Sequence, residues 1–493
     1  MKTPWLPSIL GLVLSVAADQ APALQPPPES RVWRYRLLPG STFENECRVC
    51  DRLPIIEPIQ GEFDLVWVDE GPAIARFEVT NLRAVDFSEE TLRRVVLGGG
   101  QFERLAEPAG AGAMRLAVNV AGNGTQRDAN LTNVTLLPAA AWPLLEVDLV
   151  EVGGTDFTNF KLRLRAAPLQ ELWFATPHGM TPGIDPSPGR IEGGDLLADA
   201  GRVIRPRQRL LASLGFEPGS TNLPIDALTV ADGGEVWFSF PEDVDTPKLG
   251  LIHDGDVVSD AGRMVRRSAQ LLGAFSLMPP IEDPGVDGLQ LLDDGQILFS
   301  IRRPVFSERL GQRIERSDLL SDAGVRVRSG QELRSAFKPV SPDAEPGLDA
   351  FHLWPGGEVW FSTEESFESA IEGGITDGDL LSSRGYVVYR NLDLVRRFQP
   401  LEDLANFGLT ALFAISDATA PPKASTLLPP GFSGTTAAPG LRWELAGRCA
   451  QVERAFRVEG PYRATSPLLL DTEWADPLAT GREEMMFYRL RQW

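Results

Sequence analysis

Two hydrophobic patterns divide this chain. From about residue 30 to 165, short runs such as VWRYRLL, GEFDLVWV, ARFEVTNL, MRLAVNV and LLEVDLV carry apolar side chains at every second position, with turn residues between them. A period of two sets one strand face on a core and the other in water, which predicts half-buried antiparallel strands in a β-sandwich or barrel. After about residue 166 the pattern changes. Runs such as ELWFAT, EVWFSF, QILFSI and EVWFST are apolar at consecutive positions, which predicts strands covered on both faces.

These doubly apolar strands belong to a unit written four times. Asp195, Asp256, Asp318 and Asp379 are 61, 62 and 61 residues apart, and Asp226, Asp287 and Asp349 keep the same 61 and 62. Each unit contains two tight turns, one of the type DDG before its second strand and one of the type SDAG before its fourth. Glycine at the end of such a turn supplies the left-handed conformation of a bulged hairpin, so each unit predicts two hairpins, or four strands. Small sheets covered on both faces and packed around an axis make a β-propeller. The first unit lacks an opening strand of the IDALTV type, and the region ends on a lone strand of that type, LTALFAI, at 409–415. If that strand completes the first sheet, four blades close into a ring with no free edge. If instead KLRLRA at 161–166 is the missing strand, 409–415 begins an incomplete fifth.

The fold expected is therefore all-β, with a propeller-like repeat domain of about four four-stranded blades at 166–416. It is flanked by an N-terminal β domain at 24–165 and, after a linker rich in Pro, Ala, Ser and Thr at 417–440, by a small β-sandwich at 441–493. Residues 1–23 have the form of a signal peptide. Lys2 precedes the apolar run ILGLVLSV, too short to span a bilayer, and small residues follow at Ala17 and Ala18. The expected location is secreted, periplasmic or cell-surface, with no membrane span.

Composition narrows the function. The 493 residues hold 68 acidic and 47 basic side chains, a net charge of −21, which disfavours nucleic acid because phosphate binding needs clustered Lys and Arg. There is no P-loop, no G-x-S-x-G and no H-E-x-x-H. Of the three cysteines, Cys47 and Cys50 form a C-x-x-C in a polar loop and Cys449 stands alone. Without a second C-x-x-C or a paired His motif, zinc lacks its four ligands. A small loop-closing disulfide between Cys47 and Cys50 is expected, with Cys449 a buried thiol.

The segment VERAFRVEGPYR followed by FYRLRQW resembles the fibronectin-III-like C-terminal modules of large secreted bacterial proteins. The GDLLSDAG and GEVWFS repeats are similar to propeller-like repeats of uncharacterised exported bacterial proteins. The likeness implies export and a multidomain surface-type protein, and transfers no catalytic residue.

Chemistry is expected on the face that carries the long connections after each second strand. Asp226, Asp287 and Asp349 open the first strands near the axis, with Thr410 at the fourth place, and are candidate binding residues together with His178 and His253. Asp195, Asp256, Asp318 and Asp379 open the third strands further out; converging carboxylates of either ring could hold Ca²⁺, with a structural ion placed at these four, while a repeated Asp before a strand also caps backbone N–H groups in every copy. No other cofactor is indicated. The function expected is a non-enzymatic binding or cell-surface protein that contacts a glycan or an extracellular protein. The alternative is a secreted glycosidase or lyase using unlike residues on the same face, among them His178, His253, Asp243, Asp245, Glu364 and Glu365.

Overall fold

A computed structural model describes residues 32–493 except 48, 50–52, 87–93, 106–111, 123, 134–141, 155–157, 185–188, 218, 220–222, 279–282, 419–426, 429–439, 459–461 and 478–485. The signal-like segment and Cys50 lie outside the described residues. The protein is all-β, built from antiparallel sheets.

The N-terminal region forms one nine-stranded sheet that closes on itself. Its two longest strands, Ile55–Glu70 and Ile74–Asp86, pair as a hairpin although the rest of the sheet runs between them the long way round. Closure removes the free edges of a sheet, and the alternating pattern then fills the interior: Trp33, Tyr35, Phe43, Phe63, Phe77, Phe102, Leu162 and Leu164 form its core. Trp142 stacks on Trp33 at 5.3 Å between ring centres, and Phe77 and Phe102 also pack against its ring, at 5.4 and 6.2 Å.

The repeat region forms four four-stranded sheets. Three contain the strands of one repeat in order, for example Leu228–Val230, Val236–Phe238, Val257–Ser259 and Met264–Arg266. The remaining sheet joins the two ends of the region. Leu169–Ala175 pairs with Ala411–Ser416, with Trp173 opposite Phe413, while Thr158–Ala167, which contains KLRLRA, stays in the N-terminal sheet. The opening strands are neighbours around a circle: Leu228–Val230 lies against Ala411–Ser416 and Val286–Leu291, and Phe351–Leu353 lies against the same two.

The consecutive apolar residues are explained by this circle. Successive side chains of a strand point to opposite faces, so Trp173 enters the core shared with the second sheet while Leu172 and Phe174 enter the core shared with the fourth. Phe238 and Trp237 divide in the same way, as do Phe299 and Leu298, and Phe361 and Trp360. Four cores thus alternate with four sheets. Truncating one of these phenylalanines to alanine would cost about 3–5 kcal/mol. In two of the E-x-W-F runs the glutamate anchors the indole beside it: Trp173 Nε1 donates to Glu171 at 2.6 Å and Trp360 Nε1 to Glu358 at 3.1 Å. At the SDAG turns Gly262 has φ +70°, and a Cβ there would meet the Ser213 carbonyl oxygen at 2.2 Å.

Two repeated features depart from the sequence reading. The long connections after the second strands are not open loops in three of the sheets. They fold into short hairpins, Val244–Thr246 with Gly250–Ile252, Val305–Ser307 with Gln312–Ile314, and Phe367–Ser369 with Gly373–Ile375. After each fourth strand stands a short helix, Arg207–Ala212, Ser268–Leu272, Gly330–Arg334 or Asn391–Val395. Elements of three to six residues are too short to display a period.

The C-terminal region has two three-stranded sheets. Cys449, Leu468, Leu470 and Trp493 are buried in the core between the first and second sheets of the ring, so the module is packed onto the ring and not merely tethered to it. Asp417 and Ala418, at the start of the Pro-rich stretch, are buried as well; Asp417 accepts hydrogen bonds from Trp493 Nε1 at 2.8 Å and Arg491 at 2.6 Å.

Candidate functional site

The outer aspartates have a different role from metal ligation. In all four, one carboxylate oxygen accepts the backbone N–H three residues earlier and the other accepts the N–H twelve residues later, at the start of the short helix. Asp256 takes His253 N at 3.1 Å and Ser268 N at 3.0 Å, and Asp379 takes Thr376 N at 3.0 Å and Asn391 N at 2.9 Å. Asp195 and Asp318 repeat the pattern with Glu192 and Arg207, and with Glu315 and Gly330. Each therefore ties a turn to a helix within its own unit. The expectation of a Ca²⁺ site at Asp195, Asp256, Asp318 and Asp379 is corrected accordingly: their oxygens are engaged by backbone donors and the four do not converge.

The inner aspartates do converge. Asp226, Asp287 and Asp349 bring carboxylate oxygens within 4.8 Å of one another, and they are the only group of three or more metal-capable side chains among the described residues. Their positions follow from the fold. The opening strands line the axis, and the backbone N–H groups of Asp226, Asp349 and Thr410 each donate to the carbonyl of the neighbouring strand, on Ser239, Ser362 and Ala175 at 3.1, 3.3 and 3.0 Å. Thr410 thus occupies the fourth place in the circle.

Two residues following second strands complete this axial mouth. Arg302 pairs with Asp226 and with Asp287 at 2.8 Å, and also donates to the Pro241 carbonyl at 2.8 Å. Glu364 occupies the equivalent position in the fourth sheet and accepts from Arg316 at 3.1 Å. Burial, then the neighbouring carboxylates, hold Asp226 and Asp349 well above the usual carboxylate range. Burial and Asp287 push Glu364 up to about 8. Burial works against the charge of Arg302, but Asp226 and Asp287 more than offset it and raise its pKa. Several acceptors remain unspent: Asp287 Oδ2, Glu364 Oε1 and Thr410 Oγ1 are buried without a hydrogen-bond partner. Sequence reading missed Arg302. Its signal was available, since the place after the four second strands holds Pro177, Pro241, Arg302 and Glu364, proline twice and then two residues unlike it and unlike each other.

One layer below the mouth, the axis is lined by Thr229, Gln290, His352 and Phe413, each three residues beyond its place in the inner circle. His352 is 2% exposed, with Trp354 edge-on at 5.0 Å and the Gln290 amide near Nδ1 at 3.4 Å; burial, and then Arg448, push it down to about 3. Arg448 comes from the C-terminal module. Its guanidinium lies 5.8 Å from the Phe413 ring and pairs with Asp293 at 2.9 Å, closing the end of the axis opposite the mouth.

The two remaining candidates lie outside the mouth. His178 is exposed, and its backbone carbonyl accepts a hydrogen bond from Thr176 Oγ1 at 2.9 Å. His253 is exposed too, and its Nδ1 faces Asp243 Oδ2 at 3.1 Å; that hydrogen bond raises the imidazole pKa. Beside it is a hollow of about 710 Å³ lined by Pro241, Glu242, Asp243, Asp254, Asp283 and Arg303. Cys47 is disulfide-bonded, and Cys449 is free and buried.

No family model matches the chain, and no curated protein matches it. Among solved structures it is similar to PorZ, described as an essential bacterial surface component of the type-IX secretion system of Porphyromonas gingivalis, at 10% identity, over 87% of this chain and 74% of that one, with a TM-score of 0.19. It is similar also to the extracellular domain of a B. thetaiotaomicron protein described as a hybrid two-component system, at 9% identity, over 85% and 75% of the two chains, with a TM-score of 0.20. At these scores the whole chains do not superimpose. Among the described residues no helix is long and apolar enough to cross a membrane.

Proposed function

We propose that the chain is an exported, non-catalytic binding protein whose recognition surface is the long-connection face of a four-bladed β-propeller, and that its ligand is a glycan. The observation that carries this reading is the concentration of unlike residues on one face of an otherwise repeated scaffold. The strands repeat, while Arg302, Glu364, Asp243 and His253 do not. Binding groups are usually placed in this way, on variable connections held by a rigid frame.

The hollow beside His253 offers acceptors at Asp243, Asp254 and Asp283 and donors at His253 and Arg303, a set suited to sugar hydroxyls. His253 is already engaged with Asp243, and Asp283, whose carboxyl pKa is raised by burial, already accepts hydrogen bonds from Ser268 and the Gly285 and Gly255 amides. Groups held in this way favour binding over turnover. The Cys47 disulfide supports an oxidising compartment. We read the pair of three-stranded sheets at the C-terminus as the fibronectin-III-like module, docked on the opposite face.

A glycan array probed with the full chain tests this reading. Binding that is weakened about tenfold by Asp243→Ala and by Arg303→Ala is expected. Turnover of a polysaccharide that disappears in His253→Ala would replace binding with catalysis, and glycan binding indifferent to both variants would remove the face from the reading.

A further inference from the structure

We propose that the axial mouth is a calcium site that fastens the four sheets at their common axis. This inference stands apart from glycan binding, because it concerns the interior of the ring. Three carboxylates from three different sheets bring oxygens within 4.8 Å of one another. Calcium is bound at about 2.3–2.6 Å, so oxygens on opposite sides of the ion are separated by up to about 5 Å, and the cluster has the dimension of a first coordination shell.

The independent observation is Thr410. It holds the fourth place of the circle, is 7% exposed, and its Oγ1 has no hydrogen-bond partner. A buried hydroxyl left unsatisfied costs about 1–3 kcal/mol, and Asp287 Oδ2 and Glu364 Oε1 share the same condition. A proton shared between Asp287 and Glu364 would relieve those two oxygens and leave Thr410 and Asp349 as they are. An ion on the axis would engage all four sheets.

Charge points the same way. Asp226, Asp287, Asp349 and Glu364 face Arg302, with Arg316 divided between Glu364 and Glu365. Counted with every carboxyl ionised, as ligation of a cation would require, the mouth carries an excess of about two negative charges, which one divalent cation neutralises. The donors are all hard oxygens. No imidazole or thiol stands among them, which disfavours zinc, and side chains from separate sheets do not impose the near-ideal octahedron that magnesium requires.

The test uses the full chain, freed of metal with a chelating resin and titrated with CaCl2 and, separately, MgCl2, by calorimetry and by melting temperature. We expect one Ca²⁺ per chain, a higher melting temperature with Ca²⁺, and Mg²⁺ at least tenfold weaker. Asp349→Asn is the informative variant, because Asp349 makes no ion pair with Arg302 and its replacement leaves that pair in place. It should weaken Ca²⁺ at least tenfold, Thr410→Val several-fold, and Asp243→Asn, at the surface hollow, not at all. Absence of both heat and thermal shift in the metal-free wild type overturns the proposal, as does Ca²⁺ binding that survives Asp349→Asn and Thr410→Val unchanged. Should Asp349→Asn fail to fold, Thr410→Val decides alone.

Discussion

His352 offers a direct measure of how dry the axis is. Its imidazole is neutral in the folded protein down to about pH 3, whereas in the unfolded chain it takes a proton near 6.5. Between these values the unfolded state binds one proton more than the native state, so this residue lowers stability as pH falls and has no effect above about 7.5. From pH 8 to pH 5 the loss is about 2 kcal/mol, following from about 1.4 kcal/mol per pH unit below 6.5. The raised carboxyl groups of the mouth have the opposite sign, since Asp226, Asp349 and Glu364 take up protons more readily when folded. The wild-type curve alone therefore mixes the two. The separating perturbation is His352→Gln, because Gln290 is the residue that the neighbouring unit places at the same position. Urea unfolding of both proteins at pH 8 and pH 5 gives the difference directly. The variant should gain about 2 kcal/mol relative to wild type on going to pH 5. Parallel stability curves would show that the imidazole is protonated in the native state, and that water reaches the axis past Arg448.

Three further outcomes are expected. Asp256→Ala leaves the His253 and Ser268 amides without their acceptor and should cost about 2–4 kcal/mol in urea unfolding, with Asp256→Asn costing less; a change under 0.5 kcal/mol would remove its anchoring role. Arg302→Ala leaves the buried Asp226 and Asp287 unpaired and should cost about 3–5 kcal/mol at pH 8, with a smaller loss at pH 5 where protons replace the guanidinium; an equal loss at both would refute the electrostatic account. Cys449 is fully buried, and burial raises its thiol pKa, so a thiol reagent should find nothing to react with in the native protein and one thiol in guanidinium without reductant. Three thiols before reduction would exclude the disulfide at Cys47.

The repeat was legible because two sets of aspartates carry one period, and the class of fold followed from strands that are apolar at consecutive positions. The inner circle was legible for the same reason, down to Thr410 in its fourth place. The role of the outer aspartates was less accessible. Each lies twelve residues before a helix of five or six residues, and such a helix is too short to reveal itself by periodicity. Arg302 was overlooked because an arginine in a loop has no motif of its own; only alignment with Pro241 and Glu364 marks it as different. Two features depend on partners far away in sequence. The closing pair of the N-terminal sheet and the approach of Arg448 to Phe413 arise from tertiary packing, and no local spacing encodes either.

The joining of Leu169–Ala175 to Ala411–Ser416 sets a schedule for assembly. During synthesis the first sheet waits for its last strand until about 240 residues have followed it, and until then the ring is an open arc with apolar flanks. An arc cannot lock. If the chain is exported as proposed, it benefits from a ring whose interlock waits for the ring's last strand, and a product cut short before Ala411 would be an open arc that quality-control proteases can recognise.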